Sequence, residues 1–478
     1  MMYWTLALRH LLVRPGRALI LLLGYALGVA VMIVLLSVGS AMLDQSRDAS
    51  LVGGGELTAL PEGVDIEAMR TGGLAGMFFG INGARFVTRQ LLGGKRQSGI
   101  VAAVSPVLEQ KLLTISARDT TWAVRAGGEF PDAARAAGAA LPLIAGTWHD
   151  DRHDAMWRAP DPQALYDEID HFHRPLAGDS SWAEWHYFNL VMSEQEWWYI
   201  TLLVGGYLRG TAWGGEVLVT HRTPAGEYQR FVTRVPHDVV AIDTTRPDLI
   251  VGTSRVTQRG GEYHLRGRAG AATFDLVLAP GPDRYFPAVE VGGREDASGY
   301  VVPALVGTAS GTLCVASACR TVRDVPAYHD HNWGSWRAVT WEWGTGRGNT
   351  HALLYGGVIP AGGAGGTVPF FLGLEDSLGL EQIYRFNTVE RIGQRHIADM
   401  PGITAPDSLR ISAARLDDTL RVLVRIVDVT SSRSMAAGPD RIFLQMRGTW
   451  RATGTAAGRT VADSGTGFFE TWVRISKK

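Results

Sequence analysis

The sequence predicts a mainly β chain: two antiparallel barrels or sandwiches behind a transmembrane helix and a small α+β region. Three observations predict it. Short strand patterns separated by Gly or Pro turns recur from about residue 182 onward. Glycine (58) and tryptophan (15) are abundant in a chain of 478 residues, which is too long for one ordinary core. Residues 18–43 carry no charge at all.

Residues 1–17 read as a short amphipathic cytoplasmic segment ending near Pro15-Gly16. Residues 18–43 would extend ~39 Å as a helix, enough for a bilayer core of ~30 Å. Arg9, Arg14 and Arg17 precede this run, and Asp44 and Asp48 follow it. The charge asymmetry predicts a single uncleaved pass through the inner membrane, with the bulk of the chain extracytoplasmic. Residues 44–160 mix strand patterns such as Thr121-Trp122-Ala123-Val124-Arg125 with Gly- and Ala-rich joints. Asp161-Pro162 then reads as a helix start, and Leu165, Ile169 and Phe172 space an amphipathic helix over 162–172. The H-x-H pair His171/His173 at its end reads as solvated.

A first strand block occupies 161–337, with strands expected over 197–204, 216–222, 230–235, 253–258, 263–268 and 273–278. A second occupies 338–478, with strands over 341–343, 351–355, 421–429, 442–450 and 468–475. The Gly-rich loop 361–366 fits no dinucleotide fingerprint, and no internal repeat emerges. The formal net charge of −1 leaves no basic stripe for phosphates, so a nucleic-acid partner is not expected.

Chemistry concentrates in Tyr328-His329-Asp330-His331-Asn332-Trp333. On a strand, Tyr328, Asp330 and Asn332 share one face, and His329, His331 and Trp333 share the other. Turned into an apolar cavity, the first face would keep Asp330 protonated near neutral pH, beside a phenol. The alternative is a strand end whose polar groups brace each other. A second cluster holds Trp185, His186, Trp197, Trp198 and Tyr199, and Trp341 and Trp343 follow the first. These aromatics are either core or the wall of a site for a long apolar ligand. His329 and His331, with His186 or His351, could be assembled into a zinc set, but the reading adopted is no metal and no cofactor. Cys314 and Cys319, the chain's two cysteines, bracket a predicted two-residue turn at Ala316-Ser317. That places them opposite each other, where a disulfide is expected.

The E-W-W-Y run at 196–199, followed well downstream by D-H-N-W-G at 330–334, resembles the carotenoid 1,2-hydratase (hydroxyneurosporene synthase) and AttH-like family over about 180–475. The resemblance implies two lipocalin-like domains, 161–337 and 338–478. It also implies catalytic roles for Asp330 (proton donor) and Tyr328 in hydrating an isoprenoid double bond. Trp185, His186, Trp197, Trp198, Tyr199, His329, His331, Asn332, Trp333, Trp341 and Trp343 would then line the lipophilic substrate. Where those hydratases carry a His-x-Trp pair, this chain reads Tyr300-Val301-Val302-Pro303. The first 130 residues resemble the N-terminus of lipoprotein-release and macrolide-export ABC permeases, without a phosphate-binding loop or further spans. The expected function is therefore a membrane-anchored protein that binds a lipophile and performs acid-assisted hydration. The alternative is a non-catalytic accessory subunit working with ABC permease and ATPase partners.

Overall fold

The computed structural model describes residues 15–46, 81–117, 120–137, 170–173, 182–207, 212–281, 286–291, 298–335, 340–359, 370–397, 400, 402–433 and 441–474. The expected loop at 361–366 and most of the expected helix over 162–172 lie outside them. The chain divides into two units, 1–84 with 101–154 and 85–100 with 155–478.

The first unit contains helix α1 (Pro15–Ser46) and the start of α2 (Ile81–Gly93). It also contains the hairpin β1 (Val107–Ala117) and β2 (Thr120–Glu129), followed by helix α3 (Pro131–Ala136). Pro131 opens α3 where a missing N–H costs nothing. The inner-membrane anchor expected at 18–43 falls within α1, and the structure does not support it. Among the described residues no helix is long and apolar enough to cross a membrane.

The second unit is built from two antiparallel sheets, each curled into a lipocalin-like barrel. The strands of the first are β3 (Trp182–Val191), β4 (Trp197–Tyr207), β5 (Ala212–Arg222), β6 (Tyr228–Pro236), β7 (Val240–Ile242) and β8 (Leu249–Val251). They continue with β9 (Ser254–Arg259), β10 (Glu262–Ala269), β11 (Ala272–Pro280), β12 (Phe286–Val291), β13 (Ser298–Val315) and β14 (Ala318–Ser335). Their order is β6-β5-β4-β3-β14-β13-β11-β10-β9-β8-β7, with β12 paired to β13. The second barrel starts with β15 (Thr340–Gly348), β16 (Ala352–Ile359), β17 (Phe370–Asp376), β18 (Gly379–Phe386) and β19 (Glu390–Ile392). After the small pair β20 (Arg395–His396) and β21 (Thr404–Ala405) come β22 (Ser408–Arg415), β23 (Asp418–Arg433), β24 (Arg441–Ala456) and β25 (Arg459–Arg474). Its order is β18-β17-β16-β15-β25-β24-β23-β22-β19, and Arg385 opposite Ala414 joins β18 to β22.

Strand alternation sorts the apolar residues into three cores. Trp198, Ile200, Leu202 and Val204 of β4 point into the first barrel with Phe188, Leu265 and Leu276. Leu353, Tyr355, Leu444, Met446 and Phe469 fill the second. The intervening residues of the same strands form a third core from both barrels: Tyr187, Trp197, Tyr199, Tyr300 and Tyr328 with Trp343, Leu354 and Phe371. The two barrels therefore pack outer face against outer face, and this seam is aromatic.

Candidate functional site between the barrels

β14 carries the chemistry. Its register places Asp330 opposite Tyr187 and His331 opposite His186 of β3. Alternation sends Tyr328 and Asp330 outward into the seam and His329, His331 and Trp333 into the first barrel. The expected cavity wall is thus split. Trp185, Trp197, Tyr199, Trp341 and Trp343 join Tyr328 and Asp330 at the seam, with Trp185 and Trp341 half-buried at its edge. His186, Trp198, His329, His331 and Trp333 lie on the opposite side of the sheet, among the first barrel's core. They do not line the space beside Asp330.

Asp330 is 3% exposed. Tyr328 Oη donates to its Oδ2 at 2.7 Å, and half-buried Asn332 Nδ2 donates to its Oδ1 at 2.7 Å. From the second barrel, Trp343 Nε1 donates to Tyr328 Oη at 3.1 Å. Burial pushes the Asp330 carboxyl well above the usual carboxylate range, and the nearby Glu470 charge adds to that. The hydrogen bonds from Tyr328 and Asn332 oppose the shift without cancelling it. Burial likewise pushes the Tyr328 phenol well above its usual range, and Asp330 reinforces it.

Glu470 is a seam residue that sequence reading missed. Trp341 Nε1 donates to its Oε2 at 3.2 Å, and Gln445 Nε2 donates to its Oε1 at 3.3 Å. Gln445 Nε2 also lies 3.4 Å from Tyr187 Oη, across the seam. Burial pushes Glu470 up to about 7, against those donors. A signal was present: Phe468-Phe469-Glu470-Thr471-Trp472 places one acid on the strand face shared by two aromatics. Tyr300 was also missed as a wall; its ring meets Trp343 edge-on at 4.8 Å and stacks on Phe371 at 5.7 Å. Arg447 sits over Trp197 (4.6 Å) and Phe468 (5.2 Å), closing the seam with a cation on aromatic faces.

On the inner side, His331 Nδ1 lies 2.7 Å from Asp170 Oδ1 and its Nε2 lies 2.9 Å from Glu184 Oε1. Burial alone would lower His331, but the two carboxylates outweigh it and push the imidazole up to about 9. His173 is not solvated: its ring stacks on Trp333 at 3.7 Å and its Nδ1 lies 3.0 Å from Glu184 Oε1. His351 sits apart, 3.3 Å from Asp463 and from Glu381. The expected disulfide is present between Cys314 and Cys319, at the turn of the β13–β14 hairpin.

No protein-family model matches the chain, and no curated protein sequence matches it. Among solved structures it is similar to an AttH-like protein of Nitrosomonas europaea, at 15% identity and a TM-score of 0.45, covering 70% of this chain and 100% of that one. It is also similar to kievitone hydratase from Nectria haematococca, at 12% identity and a TM-score of 0.41, covering 64% and 94%. A third similar structure is CghA with Sch210972, at 10% identity and a TM-score of 0.44, covering 66% and 97%. At these identities and TM-scores the likeness carries no argument about this chain.

Proposed function

We propose that the chain binds a lipophilic molecule in the seam between its barrels and hydrates an isoprenoid-type double bond there by acid catalysis. The observation that carries this reading is Asp330: a buried carboxyl, kept protonated by desolvation, hydrogen-bonded to Tyr328 and surrounded by aromatic faces. A neutral carboxylic acid is a proton donor at physiological pH. Its proton passes to one alkene carbon, and the other becomes a tertiary cation facing Trp343, Tyr300 and Tyr187. Those π faces favour positive charge. Water adds to the cation, and the proton it releases returns to Asp330, directly or by way of Glu470. The sum is alkene plus water giving a tertiary alcohol, with no net change in the protein.

The resemblance to carotenoid 1,2-hydratases supplies the reaction type through Tyr328-x-Asp330. Tyr300 and Val302, which belong to the stretch 300–303 where those enzymes carry a His-x-Trp pair, both face the seam. The substitution therefore alters the wall of the site and argues for a different lipophile from theirs. Acyclic isoprenoids incubated with the protein in ¹⁸O-labelled water test the reading. Labelled tertiary alcohol is expected from the wild type. Asp330→Asn should still bind the isoprenoid, by tryptophan quenching, and lose ~10²–10⁴-fold in turnover. A variant that is less stable but equally active per folded molecule would assign Asp330 to bracing the strand instead.

A further inference from the structure

The inner face of β14 carries polar groups that the acid site does not use. Asp170, His186 and His329 are all buried in the first barrel, and each brings one potential ligand atom within 4.8 Å of the others. His186 Nε2 lies 3.1 Å from the Pro247 carbonyl oxygen, and His329 Nδ1 lies 3.0 Å from the Tyr187 carbonyl oxygen. A carbonyl only accepts, so each of these nitrogens carries a proton and donates it. In a neutral ring the lone pair then falls on the other nitrogen, Nδ1 of His186 and Nε2 of His329. Both of those nitrogens are buried with no hydrogen-bond partner. The distance from His329 Nε2 to Asp170 Oδ2, 3.7 Å, is beyond hydrogen-bond reach. Asp170 is itself fixed by two donors, Tyr263 Oη and His331 Nδ1.

We propose that Asp170, His186 and His329 bind one first-row divalent metal ion of the zinc kind inside the first barrel. Two imidazole lone pairs and a carboxylate form a ligand set that zinc accepts. The surroundings match as well. Histidine ligands are normally oriented by an N–H donated to a carbonyl, and ligating carboxylates by their own hydrogen bonds. Both features are present here before any ion is considered. The ion would tie Asp170, which precedes the barrel in sequence, to β3 and β14. It is structural, because the chemistry faces the opposite side of the sheet. The competing occupant is a trapped water donating to both lone pairs.

The test uses the full chain, freed of metal by a chelator and titrated with Co²⁺ and then Zn²⁺. One equivalent of Co²⁺ should bind, with ligand-field bands that Zn²⁺ abolishes. Two exchangeable N–H resonances, from His186 and His329, should be hyperfine-shifted. His186→Gln and His329→Gln should each weaken Co²⁺ binding by at least the ~10–100-fold that losing an outer-shell partner costs. Should those variants fail to fold, the two shifted N–H resonances of the wild-type protein decide the matter. Folded wild type that takes up no stoichiometric metal, as the water alternative requires, would overturn the proposal. So would Co²⁺ uptake without the shifted pair, or folded variants that bind it as well as the wild type.

Discussion

Asp330 and Glu470 are carboxyls that folding removes from water, so the folded state holds their protons more tightly than the unfolded chain does. For an acid whose folded pKa is raised, stability declines as pH rises from the unfolded value to the folded one. For Glu470 that window runs from its ordinary 4.5 to about 7. Asp330 contributes with the same sign from its ordinary 3.8 upward. Denaturant unfolding across this range should show stability falling with pH, and Glu470→Gln should flatten the decline. Equal slopes in the two proteins would contradict the assignment. A second substitution isolates the phenol. Tyr328→Phe leaves the buried Trp343 Nε1 without its acceptor, which should cost about 1–3 kcal/mol. It also removes a donor that lowers the Asp330 pKa, so that pKa should rise further in the variant.

At the scale of elements, the β13–β14 hairpin organises the site. Both strands are 18 residues long, and the disulfide closes their turn while Tyr328 and Asp330 lie toward the other end. Tyr328 lies nine positions along the strand from Cys319, a distance of ~30 Å. Cys314→Ser with Cys319→Ser should therefore lower stability by about 2 kcal/mol, the chain-entropy value for so short a loop, and leave isoprenoid binding unchanged. Binding that falls in step with stability would show that the turn controls the site. Near the start of β13 the packing is tighter. A Cβ on Gly299 would lie 2.4 Å from the Trp333 indole, so Gly299→Ala must displace that ring. Such overpacking should cost about 1–3 kcal/mol, read as a lowered thermal midpoint. The strands themselves were legible in the sequence because alternation and Gly or Pro turns are local signals. The cysteine hairpin and the strand at 197–204 fall where those signals placed them, the latter running on to Tyr207. Strand lengths were underestimated at β23, β24 and β25, which run on through further Gly and polar residues.

For the whole molecule, the decisive arrangement is two barrels packed through their outer faces. Alternation in Tyr328-His329-Asp330-His331 defined two faces but could not say which one a distant sheet would cover. The sequence reading therefore merged residues from both faces into one cavity wall. Glu470 enters the site from a strand 140 positions beyond Asp330, a pairing that no local pattern encodes. The same arrangement makes the seam energetically important. Trp343 touches Tyr300, Phe371 and Tyr328, so Trp343→Ala should cost about 3–5 kcal/mol. It should also admit water beside Asp330 and bring that carboxyl back toward its ordinary range. The most direct test of the central claim, a neutral acid held in the seam, is difference infrared spectroscopy at neutral pH of the wild type against Asp330→Asn, with Glu470→Gln as control. A protonated-carboxyl C=O band is expected that persists in Glu470→Gln and is lost in Asp330→Asn. A wild-type spectrum showing only carboxylate bands at position 330 would contradict it.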